Sequence, residues 1–169
     1  MHFFVFYIWI ISFSKDVKRV YEYHGAEHKS IYAYENQMDL TPENAKGFTT
    51  LHPRCGTSFL LIVMLISIIV FSCMDFILPV PANGIEKVIT KVVLRVILMP
   101  LIAGISYEIQ RYSSNHLDKI WVRALAFPGL SLQRITTKEP DLLQLEVAIV
   151  AIKAALGEKV ENATELRLN

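Results

Sequence analysis

Two cysteines in 169 residues are too few for a disulfide framework. Charge of one sign is equally scarce. Seventeen basic and 16 acidic side chains leave a formal net charge of +1, so no nucleic-acid footprint is present and nucleic acid is not expected as a partner. The N-terminus lacks the basic region and small-residue cleavage site of a signal peptide. Residues 3–13 are apolar and aromatic, but such a stretch falls short of the roughly 20 residues a spanning helix needs. Lys15, Lys18 and Arg19 follow at once, as after a stop-transfer segment. Residues 1–13 therefore read as an apolar anchor or the end of a truncated membrane helix, with an interfacial aromatic anchor as the alternative.

What the chain does have is apolar mass: 53% hydrophobic residues and a mean hydropathy of +0.37, high for a soluble domain. Over residues 59–80 the single charge is Asp75. As a helix this run is about 33 Å long, enough to cross a bilayer. Pro79, Pro81 and Asn83-Gly84 then predict a turn. A second span is expected over residues 88–109. Lys87, Lys91 and Arg95 share one of its faces, Pro100 marks a kink, and Ala103, Gly104 and Ser106 are small enough for close helix packing. Glu108 stands near its end, with Gly104 one turn before it leaving room for a ligand or ion. Cys73, inside the first run, reads as a small hydrophobe.

Basic residues crowd the segments before residue 59 and after residue 110, whereas the hairpin between the spans offers Lys87 alone. The positive-inside rule places both flanking segments in the cytoplasm. The expected architecture is an all-α integral membrane protein of the cell inner (plasma) membrane, multi-pass, with residues 1–169 forming a single membrane-embedded domain. Its parts are a motif segment at 14–57, a transmembrane hairpin at 59–80 and 88–109, and a cytoplasmic C-terminal segment at 110–169. Thr41-Pro42-Glu43 has the signature of a helix start and Gly47 of its end. Trp121, Phe127 and Pro128-Gly129-Leu130 predict a surface or packed loop. Residues 141–156 predict a helix with an apolar stripe of Leu142, Leu145, Ile149, Ile152 and Leu156, packed against the domain, and the tail from Gly157 is expected to fray.

Chemistry-bearing residues concentrate in the polar segment. Tyr23-His24-Gly25-Ala26-Glu27-His28-Lys29 contains His-x-x-Glu-His, which on a helix puts His24 and His28 on one face with Glu27 within a turn. Two imidazoles and a carboxylate are what a metal-activated water requires. Leu51-His52-Pro53-Arg54-Cys55-Gly56 adds His52 and Cys55 three residues apart, a spacing that suits one ion. The orientation above brings Glu108 to the same membrane face. Gly25 argues against a helix interior and points to a close backbone approach or a helix start. Glu35 and Asp39 read as solvated carboxylates.

The stretches YHGAEHKSI, LHPRCGTSFLLIV, LIAGISYEI and PGLSLQRITTKEPDLLQLEVAI resemble the YqhQ-like family of bacterial membrane proteins, often described as metal-dependent enzymes by motif. The resemblance covers residues 20–156. It implies a polytopic inner-membrane protein with a metal site and supplies no reaction. Members are usually longer, with a Gly-rich N-terminal part, so this chain is expected to be a fragment or a short form.

Two function classes stand open. In the first, a membrane-bound hydrolase holds a divalent metal, zinc, through His24, His28 and either Glu108 or His52, with Glu27 as general base. The order His-x-x-Glu-His is that of the inverted zinc peptidases. In the second, a non-enzymatic membrane protein closes a structural zinc site with His24, His28, His52 and Cys55. A third reading, Cys55 as nucleophile with His52 as base, lacks an orienting group. The expected partners are the lipid bilayer and an unidentified substrate, with a second copy of the chain left open.

Overall fold

The computed structural model describes residues 2–77 and 84–158, with side chains from Phe6 onward. Among these residues there are seven helices and no strand. They are α1 (His2–Ile11), α2 (Lys15–Glu35), α3 (Pro42–Lys46), α4 (Gly56–Ile77), α5 (Ile85–Asn115), α6 (Ile120–Thr136) and α7 (Leu142–Ala155). Pro79, Pro81 and Asn83 of the expected turn, and most of the tail after Gly157, lie outside the described residues. The chain divides into two compact units: residues up to 52 together with those from 133 onward, and residues 53–132.

The first unit is built on α2. Its 21 residues run unbroken through Gly25, because that glycine accommodates a neighbouring chain segment. The helix then stops decisively. Gln37 adopts φ 56°, while Gln37 N–H donates to Tyr34 O and Met38 N–H to Ala33 O. These are the two bonds of a Schellman motif, and they turn the chain back toward α3. Thr41 caps α3 by accepting from Asn44 N–H, Pro42 opens it and Gly47 closes it, as the sequence signals indicate. Asp141 and Gln144 form a reciprocal capping box at the start of α7. Helix α7 packs on α2 and α3, and small residues make the approach close: Ala26, Ala33 and Ala45 are fully buried against Leu145 and Ile149. The expected stripe on α7 is narrower than its pattern. Leu142 and Leu156 are 49% and 46% exposed, since each lies at a helix end beyond the face that α2 and α3 cover.

In the second unit α4 and α5 form an antiparallel pair, pinned at both ends. Asp75 near the end of α4 lies 2.9 Å from Lys91 Nζ and 3.5 Å from Arg95 in the first turns of α5. At the opposite end the Gln110 amide donates to Pro53 O and Cys55 O, just before α4 begins. Both helices are long and apolar enough to cross a membrane, and only 11% and 6% of their most apolar 18-residue windows are buried. A core helix of a soluble protein would show the reverse. The helices start three residues earlier than the sequence pattern suggests, and α5 continues to Asn115. The loop expected around Pro128-Gly129 is instead the middle of α6. Its continuity is explained by packing: a Cβ on Gly129 would come within 2.8 Å of Ser58 Cβ, so glycine here lets α6 lie directly on α4.

Candidate functional site

The first unit brings His24, His28 and His52 together. The His24 and His28 rings on α2 have centroids 4.5 Å apart, and His28 and His52 are 5.6 Å apart. Two imidazoles that share one zinc at 2.0–2.1 Å have centroids about 5 Å apart, so the spacing of His24 and His28 fits a common ion.

What orients these rings matters more than their spacing. His24 Nδ1 lies 2.9 Å from Thr136 O, and His28 Nδ1 is hydrogen-bonded to Thr50 O. A carbonyl oxygen only accepts, so in each neutral ring Nδ1 carries the proton and the lone pair falls on Nε2. A carbonyl that fixes the tautomer in this way is the usual support of a metal-binding histidine. His28 is 2% exposed and His24 half-buried. One turn before His24, partial burial pushes the Tyr21 hydroxyl pKa up.

The segment carrying His52 is gripped residue by residue. His28 holds Thr50 O, Tyr32 Oη donates to Leu51 O at 3.1 Å, and Gln133 Nε2 donates to His52 O at 2.8 Å. Gln133 Oε1 also accepts from His52 N–H at 2.8 Å, so this fully buried side chain pairs with His52 as a neighbouring strand would. The His52 ring packs on Tyr32, 4.6 Å between centroids, and its Nε2 lies 3.4 Å from Glu35. Glu35, read from the sequence as a solvated carboxylate, thus faces an imidazole.

A third contact line ties residues 136–139 to α2. Lys138 N–H donates to Tyr21 O at 2.9 Å, and the Lys138 carbonyl sits where a Cβ on Gly25 would be. Lys29, 4% exposed at its side chain, donates to Lys46 O and pairs with Glu139 at 2.5 Å. Of the two readings of Gly25, the close backbone approach is the one realised. Glu27 is on the exposed side of the helix, one turn from His24.

Cys55 and Glu108 belong to the second unit. Cys55 is 6% exposed and its carbonyl accepts the first α4 hydrogen bond, from Phe59 N–H, where the helix macrodipole favours negative charge. Its Sγ lies 3.1 Å from Thr57 Oγ1. The Glu108 side chain is 67% exposed and 3.8 Å from Arg111. Gly104 lies on an exposed side of α5, and nothing lies within 4 Å of a Cβ placed there. Gln133, Thr136, Lys29 and Glu139 carry much of the arrangement and were not singled out from sequence. All four fall inside stretches that carry the family resemblance, but nothing local reveals partners this far along the chain.

Fold and site together define a mainly helical protein with a carbonyl-oriented histidine pair and two helices fit to cross a membrane. A family model described as "Protein of unknown function (DUF1385)" matches residues 1–158, and the chain belongs to that family. It is 39% identical over 150 residues to the uncharacterised protein YqhQ of Bacillus subtilis (strain 168), covering 89% of this chain and 44% of that protein. The chain thus spans less than half the length of this curated relative. No solved structure matches it.

Proposed function

We propose that this chain is a multi-pass protein of the bacterial inner membrane that uses a His24–His28 metal centre, facing the cytoplasm, to hydrolyse its substrate. The single observation that carries the metal reading is the pair of Nδ1–carbonyl hydrogen bonds, which commits two neighbouring imidazoles to presenting Nε2. Exposure of the apolar faces of α4 and α5 supports the membrane reading, and the basic flanks support the orientation.

His24 and His28 would hold the ion. His52 is the remaining candidate in the same unit, with its Nε2 3.4 Å from Glu35. A divalent metal bound there would supply the acidity that makes water a nucleophile near neutral pH. Glu27, a carboxylate open to solvent, would take up the proton that this water loses. The Thr50 and Thr136 carbonyls keep the rings from turning, and the Gln133 clamp holds His52, two residues beyond Thr50.

The test is metal analysis of the purified protein and its variants, with turnover on a panel of peptides and esters. His28→Ala should lose the metal. Glu27→Gln should keep both metal and fold while turnover falls roughly 100- to 10,000-fold. A metal-replete Glu27→Gln protein with undiminished turnover refutes the hydrolase. The second reading, a structural zinc centre, is favoured by the gripping of three successive carbonyls at Thr50, Leu51 and His52. Four protein ligands and a loss of stability on chelation would establish it.

A further inference from the structure

The second unit contains a cavity of about 220 Å³ between α4, α5 and α6. Along α4 its wall is apolar, from Leu61 through Leu65 to Ile69, and Ile109 closes it from α5. Its polar residues gather at one end. Ser58 lies in the first turn of α4, and Gln110 and Ser113 lie in the last turns of α5. Gln110 spends its amide hydrogens on Pro53 O and Cys55 O. Ser113 is 5% exposed, and its Oγ has no hydrogen-bond partner among the described residues. A buried hydroxyl without a partner is rare in folded proteins and calls for an acceptor from outside the chain.

From Ser58 to Ile69 the cavity follows α4 for about 16 Å, close to half of a hydrocarbon core of about 30 Å. The polar end lies at the level where α4 begins and the apolar end near the middle of the helix. That is the polarity of one leaflet, with oxygen at the interface and hydrocarbon below. The volume lies under the 300–1,000 Å³ of pockets for drug-sized ligands, which suits one chain and not two. From this geometry we infer a binding site for a single lipid acyl chain, whose carbonyl or carboxyl oxygen accepts a hydrogen bond from Ser113. The inference rests on the reading of α4 and α5 as membrane-spanning and is independent of the metal centre.

The experiment uses the full chain in phosphatidylglycerol nanodiscs with two photoreactive probes: a diazirine-bearing palmitic acid, and a phosphatidylglycerol with the same group on one chain. Cross-links mapped by mass spectrometry should fall on cavity residues of α4, α5 and α6, and the probe that labels them identifies free acid or phospholipid as the source. Ala126→Phe, which fills the cavity, should abolish that labelling. Ser113→Ala should reduce it roughly two- to tenfold, the worth of one hydrogen bond, without lowering the melting temperature. Labelling spread along the outer faces of α4 and α5 and insensitive to Ala126→Phe overturns the site. So does wild-type labelling of Ser113→Ala, which also decides the matter if Ala126→Phe does not fold. Recovery of the protein in the soluble fraction without detergent would instead overturn the membrane reading itself.

Discussion

Replacing Gly25 with alanine puts the architecture around the histidine pair to a test of sign. In an ordinary helix interior the change is worth about 1 kcal/mol in favour of the helix. At this position the added Cβ would lie 2.0 Å from the Lys138 carbonyl oxygen, with Thr50 Cγ2 at 3.2 Å. Contacts under 3.0 Å are essentially never found for a real Cβ, so about 1 Å must open between two pieces of backbone. Neither side yields easily. Helix α2 is continuous here, and residues 136–138 are tied down by the His24–Thr136, Lys138–Tyr21 and Thr137–Gln133 hydrogen bonds. Overpacking costs about 1–3 kcal/mol, and weakening two of those bonds adds about 2 kcal/mol. Set against the propensity gain, the net loss is about 2–4 kcal/mol, or a fall in melting temperature of roughly 5–15 °C for a chain of this size. Because Thr136 O would retreat from His24, metal affinity should also drop roughly 10- to 100-fold. Circular dichroism melts of the detergent-solubilised protein, with metal titration alongside, measure both. A Gly25→Ala protein that melts at or above the wild-type temperature refutes the close approach.

Gln133→Leu preserves bulk but orphans His52 N–H and C=O, and at about 1–3 kcal/mol for each buried orphan should cost about 2–6 kcal/mol; an unchanged melt would mean the clamp is not formed. Lys29→Met and Glu139→Ala should differ, because one removes the buried charge and the other strands it. Because the Glu139 side chain is 69% exposed, we expect about 1–2 kcal/mol for Glu139→Ala and less for Lys29→Met, and denaturation curves with the reverse order would contradict the pairing. A cysteine placed at Asn83 should react with a membrane-impermeant maleimide from outside intact cells; labelling only after lysis reverses the orientation and moves the motif segment out of the cytoplasm.

Much of this fold was legible because its signals are local. The charge-poor run of α4, the Thr41-Pro42 start of α3 and the Asp141 start of α7 each depend on a handful of neighbouring residues. Where a local rule did not hold, a distant contact overrode it. Pro128-Gly129 would end most helices, yet α6 runs through it because Ser58 on α4 leaves space only for a glycine. Gly25 disfavours a helix by propensity, but the Lys138 carbonyl needs the space that a side chain would occupy. In both places the glycine that weakens one helix allows another segment to approach it, and the approach prevails.

The site divides along the same line. That His24 and His28 share a face follows from a spacing of four, and any helix would pair them. Which nitrogen each presents is decided by Thr136 and Thr50, 112 and 22 residues away, and no periodicity in the sequence encodes that choice. Presentation of Nε2 is what separates a ligand pair from two histidines on an amphipathic helix, since an imidazole free to rotate would lose rotamer entropy on every binding event. Here folding has already met that cost, through the Thr136 and Thr50 carbonyls, the Gln133 grip on the segment that carries Thr50 and His52 and the packing of Gly25. The residues that make the histidines a candidate site are therefore ones with no chemistry of their own, and substitutions at Gln133 or Gly25 should weaken metal binding without touching a ligand.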